Sequence, residues 1–309
     1  MTDAPTSHAK RAIQGVLPVF QTPFHADLSI DFATLAQEIH WLYDQGADGI
    51  VMGMVSETLR LASEEREALA TAACRFGRER GVVIISAGAE STHTAVRYAQ
   101  QAESAGADAV MVIPPVSVAV GEDELKRYYE TIIQSIGIPV IVQDASGYVG
   151  RPMSIAMQAA LFNEYGDRVL FKPEATPIGP RLTALREATA GRAPVLEGSG
   201  GIALVDSYRR GIVGTMPGAD LIDCLVALWR ALQAGDEQRV YQLSLPLASL
   251  IAIQNSLDAF LAVEKYLLVK RGIFKNQLVR GPVGYMLDEE TRSEVDRLFG
   301  QIQAVLGAT

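Results

Sequence analysis

The sequence is poor in residues that would cross-link its parts or bind a metal ion. Its two cysteines, Cys74 and Cys224, lie far apart in apolar, helix-like surroundings and form no CxxC pair. No disulfide framework is indicated, and a reducing compartment with both thiols packed in the core is expected. The four histidines show no metal-ligand spacing. We therefore predict no metal site.

Basic runs and long apolar runs are lacking as well. The 309 residues carry a formal net charge of -9, which speaks against nucleic acid or an anionic membrane as a partner. No apolar run reaches membrane-spanning length. The first ten residues are polar and lack the apolar centre of a signal peptide. These absences predict a cytoplasmic protein with neither kind of partner.

Lysine is scarce too, with six lysines against 21 arginines, which makes the position of Lys172 notable. It ends the apolar run 169–171 and is followed by Pro173 and Glu174. A charge on a buried strand is costly without a partner, and desolvation favours the neutral amine that can attack a ketone. Taken alone, the segment favours a lysine that reaches solvent or pairs with Glu174. The surrounding pattern reverses that interpretation.

Short apolar runs alternate with helical patterns along most of the chain. The runs cover residues 15–20, 49–54, 82–87, 109–113, 140–143, 169–172, 194–197 and 211–216, and segments such as 31–45, 64–78, 92–105 and 122–135 between them have helical apolar spacing. Continuous apolar runs are typical of parallel strands buried on both faces. Eight βα units predict a (β/α)₈ barrel. The alternative, a doubly wound sheet, needs a glycine fingerprint after the first strand, where Gln21, Thr22 and Pro23 stand instead.

The strand pattern stops near residue 235, and segments 237–254, 256–271 and 289–306 have helical patterns. The predicted organisation is a polar tail over residues 1–14, a barrel over 15–234 and a C-terminal helical extension over 235–309.

The active site of such a barrel lies at the carboxyl ends of its strands. One lysine, short hydroxyls, an amide and exposed glycine backbone meet there without histidine, which favours amine chemistry over metal-assisted hydrolysis. Lys172 and Gln143 are the predicted catalytic residues. The predicted substrate contacts are Thr22, Val55, Ser56, Asp144, Ser199, Gly200 and Met216.

Several short motifs occur in order at these strand ends: Thr22-Pro23-Phe24, Gly53 with Glu57, Pro114, Gly150 and Phe171-Lys172. In this the chain resembles, over nearly its whole length, the dihydrodipicolinate synthase / N-acetylneuraminate lyase family of Schiff-base aldolases and dehydratases. The resemblance implies that Lys172 forms an imine with C2 of pyruvate or another 2-keto acid, without an external cofactor. It also implies a homodimer or homotetramer.

The chain departs from the family pattern where protons are moved. Met54 and Val55 stand where the family has hydroxyl side chains, and Gln143 stands where it has a proton-shuttling tyrosine. A phenol transfers a proton, whereas an amide can only orient a group or donate a hydrogen bond. Tyr148 is a candidate replacement. Glu57 is expected to be structural.

These substitutions resemble a subgroup of 2-keto-3-deoxy-pentonate dehydratases, such as the one acting on 2-keto-3-deoxy-L-arabinonate. The expected reaction is therefore dehydration of a 2-keto-3-deoxy pentonate or hexonate. The alternatives are 4-hydroxy-tetrahydrodipicolinate synthase, a pyruvate-dependent aldolase, and a non-catalytic barrel that binds 2-keto acids. Retention of Lys172 favours an enzyme, since a binder needs no neutral amine.

Overall fold

The computed structural model describes residues 11–147 and 149–308. Within them, eight strands alternate with helices, and three more helices follow. The strands are β1 (Gly15–Val16), β2 (Gly49–Val51), β3 (Val82–Ser86), β4 (Ala109–Val112), β5 (Val140–Asp144), β6 (Val169–Pro173), β7 (Leu196–Glu197) and β8 (Gly214–Thr215). The helices are α1 (Phe32–Asp44), α2 (Ser63–Gly77), α3 (Thr92–Ala105), α4 (Glu122–Ser135), α5 (Ile155–Tyr165), α6 (Ile178–Ala188), α7 (Leu204–Arg209), α8 (Ile222–Ala234), α9 (Glu237–Ile251), α10 (Leu257–Lys270) and α11 (Glu289–Leu306).

The strands pair in parallel in the order of a barrel. One sheet runs β2-β3-β4-β5-β6 and the other β1-β8-β7. Isolated parallel bridges, Val19 with Val51 and Phe171 with Val195, connect the two sheets on both sides. Because each strand neighbours the next and β8 neighbours β1, the predicted (β/α)₈ barrel with C-terminal helices is confirmed.

Two apolar layers explain why the strands read as continuous apolar runs. A larger layer lies between strands and helices. The smaller one fills the barrel and includes Leu17, Val51, Ile84, Met111, Ile141, Leu170 and Leu196. Since successive strand residues face opposite sides, both layers need apolar residues.

Six strands, β1 to β4, β7 and β8, are shorter than their sequence patterns predicted, and in three of them the local sequence explains the difference. In β1 the ladder is interrupted at Pro18, which has no N–H to donate, although the amide of Val19 still donates to the carbonyl of Pro217 at 2.7 Å. The run 211–216 begins with Gly211, whose φ of +88° closes the turn after α7, and β8 therefore starts three residues later. In β7 the run 194–197 begins with Pro194, which also cannot donate, and only its last two residues form the strand.

The C-terminal helices pack against the barrel. Helix α9 contacts α8 and α11, and α10 contacts the 3₁₀ turn Met54–Ser56 that follows β2. The division of the chain at residue 234 stays a prediction. None of the described helices is long and apolar enough to cross a membrane.

Candidate active site

The register of β5 and β6 brings the two predicted catalytic residues side by side. Gln143 pairs directly with Lys172, and one alternation earlier Ile141 pairs with Leu170. Both apolar residues belong to the layer inside the barrel. Because side chains two residues apart on a strand share a face, Lys172 and Gln143 lie above that apolar layer, at the mouth of the barrel.

A carboxyl group joins them from the next inward-facing position of the β6 segment. Glu174 Oε1 lies 3.0 Å from Lys172 Nζ, and Glu174 Oε2 accepts a hydrogen bond from Gln143 Nε2 at 2.9 Å. All three side chains are buried. One carboxyl group thus contacts the candidate nucleophile with one oxygen and the amide with the other.

The absence of a side chain at Gly198 makes room for this cluster. A Cβ atom placed there would lie 2.7 Å from Lys172 Cε and 2.8 Å from Glu174 Cγ, closer than packed atoms approach. The cluster opens onto a cavity. Its wall also includes Met54, Val55, Gly200, Met216, Pro217, Gly218, Leu257, Phe260 and Glu264.

Burial shifts the protonation equilibrium of the Glu174 carboxyl group. Desolvation raises the pKa of its carboxyl group, and the Lys172 ammonium and the Gln143 hydrogen bond counteract only part of that rise. A raised carboxyl pKa brings protonated and ionised forms closer in free energy at neutral pH. Such a group is suited to accept a proton and return it.

The predicted substrate contacts fall into two groups. Val55, Gly200 and Met216 line the cavity together with Lys172 and Gln143. The remaining four, Thr22, Ser56, Asp144 and Ser199, are buried and make other hydrogen bonds.

Two hydroxyls of this second group hold the mouth together. Thr22 Oγ1 donates to the carbonyl of Ser56 at 2.6 Å. Ser56 Oγ donates to the carbonyl of Phe20 at 2.5 Å and accepts from the amide of Gly53 at 3.1 Å. These bonds connect the segments after β1 and β2, and the two hydroxyls do not contribute to the cavity wall.

Asp144 and Ser199 are likewise bound to their own loops. Asp144 Oδ2 accepts from the amide of Met153 at 3.0 Å and lies 3.3 Å from Arg181 Nη2. Ser199 Oγ donates to the carboxylate of Glu197 and accepts from the amide of Ala203 at 3.0 Å. Their roles as substrate contacts stay predictions.

Glu57 has the contacts of a structural residue. Its Oε1 lies 2.5 Å from Lys265 Nζ on α10, and neither side chain is exposed. Its Oε2 accepts from the amide of Arg280 at 2.9 Å. The carboxylate therefore ties the segment after β2 to α10 and to the loop that follows it, which is a structural role of the general kind expected from the sequence. Tyr148 lies outside the described residues.

Sequence reasoning missed two carboxyl groups of the cavity. The sequence predicts Glu174 only as a partner that would neutralise Lys172. The i, i+2 spacing from Lys172 was the available signal, since it places both side chains on one face of the strand. Glu264 lies on α10, where Leu257, Phe260 and Glu264 follow the i, i+3, i+7 spacing of one helix face. The sequence pattern places that helix in the C-terminal extension, away from the strand ends that define the predicted site.

A parallel barrel with a buried lysine, a carboxyl group and an amide at its mouth defines a class of enzyme that works through a lysine imine. No group of histidine, cysteine or acidic side chains suited to hold a metal ion occurs in ranges 11–147 and 149–308.

The comparison with known proteins agrees with this class. The model of the dihydrodipicolinate synthetase family matches residues 12–302, and the chain belongs to that family. Its members are lyases that form a lysine imine with a keto acid and need no external cofactor. The family resemblance noted from the sequence is thereby confirmed.

Relatives named for different reactions have similar sequence identity to this chain. The chain is 27% identical to 4-hydroxy-tetrahydrodipicolinate synthase of Bartonella bacilliformis, over 92% of this chain and 96% of that protein. It is also 27% identical to L-2-keto-3-deoxyarabonate dehydratase of Azospirillum brasilense, over 94% of each. YagE, a prophage protein of this family from E. coli K12 solved in complex with pyruvate, superposes with a TM-score of 0.85 at 25% identity, covering 94% of this chain and 99% of that one.

Proposed function

We propose that this lyase dehydrates a 2-keto-3-deoxy sugar acid, a pentonate or hexonate, through an imine on Lys172. The observation that carries the proposal is the buried group of Lys172, Glu174 and Gln143 at the barrel mouth. All three side chains line the same cavity, where an imine-bound ligand would lie.

The first half of the reaction forms the imine. Glu174 takes a proton from Lys172, and the neutral amine adds to C2 of the keto acid. The carbinolamine then loses its hydroxyl as water to give a protonated imine. The distance of 3.0 Å between Nζ and Oε1 permits direct proton transfer.

The second half removes water from the substrate. The protonated imine acidifies C3, and Glu174 removes a C3 proton to give an enamine. The electrons of the enamine expel the C4 hydroxyl, which leaves as water after it is protonated. Hydrolysis of the resulting unsaturated imine frees Lys172, so the net change is loss of one water molecule.

Gln143 supports this assignment over the synthase reaction. It occupies the position where the family places a proton-carrying tyrosine, and its amide holds Glu174 Oε2 at 2.9 Å. In this proposal Gln143 orients the carboxyl group, and Val55, Gly200 and Met216 contact the substrate. A relative named as a dehydratase adds support. A relative named as a synthase has the same sequence identity to this chain, and the synthase reaction is therefore the second candidate.

Borohydride reduction and an activity panel test the proposal. With pyruvate or 2-keto-3-deoxy-L-arabinonate, reduction should add mass irreversibly at Lys172. The adduct should be absent in Lys172→Met and present in Lys275→Met, which removes a lysine whose side chain is 66% exposed. Absence of an adduct with both keto acids would rule out imine chemistry. Rapid turnover of pyruvate with aspartate semialdehyde, without dehydration of any keto-deoxy acid, would establish the synthase instead.

The predicted homodimer or homotetramer is a further part of the proposal. Light scattering of the purified protein at several concentrations tests it, and a monomer at all of them would contradict it.

A further inference from the structure

A second carboxyl group in the cavity wall has an oxygen with capacity for a further hydrogen bond. Glu264 Oε2 accepts a hydrogen bond from Gln21 Nε2 at 2.5 Å. Glu264 Oε1 makes no hydrogen bond of normal geometry with any described residue, although the backbone amide of Ala219 lies close enough to the carboxyl group to stabilise its ionised form. The side chain is closed to bulk solvent but forms part of the wall of the Lys172 cavity. Since buried polar atoms normally make well-formed hydrogen bonds, Oε1 has capacity left to bind an occupant of the cavity whose wall includes Glu264.

The backbone next to β8 is shaped to admit this carboxyl group. A Cβ atom at Gly218 would lie 2.4 Å from Glu264 Oε1, so a side chain there would displace the carboxyl. The same face of α10 also presents Leu257 and Phe260 to the cavity. The part of the wall formed by α10 therefore combines apolar surface with one polar group, an arrangement typical of sites that bind a single polar feature of a ligand.

The protonation state of Glu264 determines what it can recognise. Burial raises its pKa well above the usual value for glutamate, and the nearby Asp220 carboxyl raises it further. Because Oε2 accepts from Gln21, a neutral carboxylic acid carries its proton on Oε1 and donates a hydrogen bond from there. A substrate hydroxyl accepts that bond, whereas a methyl or methylene group would leave Oε1 unpaired.

We infer that Glu264 is a specificity-determining residue that hydrogen-bonds a substrate hydroxyl beyond the imine carbon. It thereby selects hydroxylated 2-keto acids over pyruvate and other deoxy analogues. This inference rests on the proposed function, because it assumes that the ligand is held as an imine on Lys172.

The test measures half-saturating concentrations for borohydride trapping of wild type, Glu264→Leu and Glu264→Gln. Two ligands are compared: 2-keto-3-deoxy-L-arabinonate and pyruvate. Leucine should weaken trapping of the hydroxylated acid on the order of 10-fold to 100-fold, because the hydroxyl loses its buried partner. The half-saturating concentration of pyruvate should change by less than about 3-fold. Glutamine, which keeps a donor and an acceptor, should restore most of the difference.

Equal weakening for both ligands in Glu264→Leu would overturn the inference, since it would indicate a structural role. A comparison within the wild type does not depend on folding of the variants. There, 2-oxopentanoate, which has the five-carbon chain without hydroxyls, should bind at least about 10-fold more weakly than the hydroxylated acid. Equal binding would refute hydroxyl selection while leaving the imine intact. Failure of the wild type to form any adduct would instead refute the proposed function.

Discussion

Replacing Glu174 by glutamine separates proton transfer from packing at this site. The amide has nearly the same size as the carboxyl group, and its oxygen can still accept a hydrogen bond from Lys172. Its NH₂ would face Gln143 Nε2, and a flip of the Gln143 amide restores that bond. The variant should therefore fold and keep the cavity while losing the group that we expect to carry protons.

The expected loss follows from the chemistry assigned to Glu174. A positioned general base contributes about 10²-fold to 10⁴-fold, which corresponds to about 2.7–5.5 kcal/mol in the activation barrier. The Nζ–Oε1 distance of 3.0 Å places the base within direct reach of its proton. We therefore expect a fall of this size in the rate constant, with a smaller change in half-saturating pyruvate.

Exchange of the pyruvate methyl protons in D₂O measures this step without knowledge of the physiological substrate. The NMR signal of the methyl group disappears as the enamine forms and is deuterated. Wild-type exchange should rise with pH through the ionisation of Glu174, whose pKa is raised above its usual 4.5, because the base must be ionised to accept a proton. The exchange rate of the Glu174→Gln variant should not rise with pH in this way.

Glu38→Gln is the matched control, since it makes the same change at a buried acid that neither lines the cavity nor acts on the pKa of Glu174. It should exchange at a rate close to that of the wild type. Retention of more than about a tenth of wild-type exchange by Glu174→Gln would contradict its role as a base. An equal loss in both variants would assign the effect to packing.

Two further predictions concern the space around the site and the charge of a buried acid outside it. Gly198→Ala places a Cβ 2.7 Å from Lys172 Cε, and we expect it to abolish borohydride trapping and to lower the free energy of unfolding by about 1–3 kcal/mol. Gly121→Ala, whose Cβ would meet no atom within 4 Å, should change neither quantity. Normal trapping by Gly198→Ala would contradict the predicted crowding of Lys172. Burial raises the pKa of Glu38 to about 8, so stability present below its unfolded-state pKa near 4.5 is lost as pH rises through about 8. Glu38→Gln should therefore increase the free energy of unfolding on the order of 5 kcal/mol at pH 9 and change it little at pH 4, as measured by urea titration; equal effects at both pH values would contradict the raised pKa.

The barrel could be predicted because its signal is local and repeated. Each buried strand reads as an apolar run, and glycine follows several of the helices, as Gly46 and Gly106 do. Strand ends were harder, since they depend on features such as the missing amide of Pro18 and the turn closed by Gly211. Lys172 could be predicted because a charge at the end of an apolar strand contradicts its surroundings.

The partners of Lys172 depended on geometry that a linear pattern does not carry. Glu174 can be recognised as a site residue, and not as a surface charge that neutralises Lys172, only when the alternation of side chains along the strand is used to place both on one face. Glu264 lies 92 residues after Lys172 in sequence, and its position in the cavity depends on how α10 packs over the mouth. Thr22 and Ser56 illustrate the opposite error, because hydroxyls at strand ends can bind backbone carbonyls instead of a ligand.

The proposed roles divide between two parts of the structure. Lys172 and Glu174 lie two residues apart on one strand segment, so the backbone of β6 fixes the distance between nucleophile and base, and the rigid ladder to Gln143 fixes the carboxyl orientation. Glu264 belongs to a different element, and its helix is held to the mouth by the buried Lys265–Glu57 ion pair. Loss of that pair should therefore change substrate preference before it changes the ability to form an imine, since the strand group does not depend on α10 for its geometry.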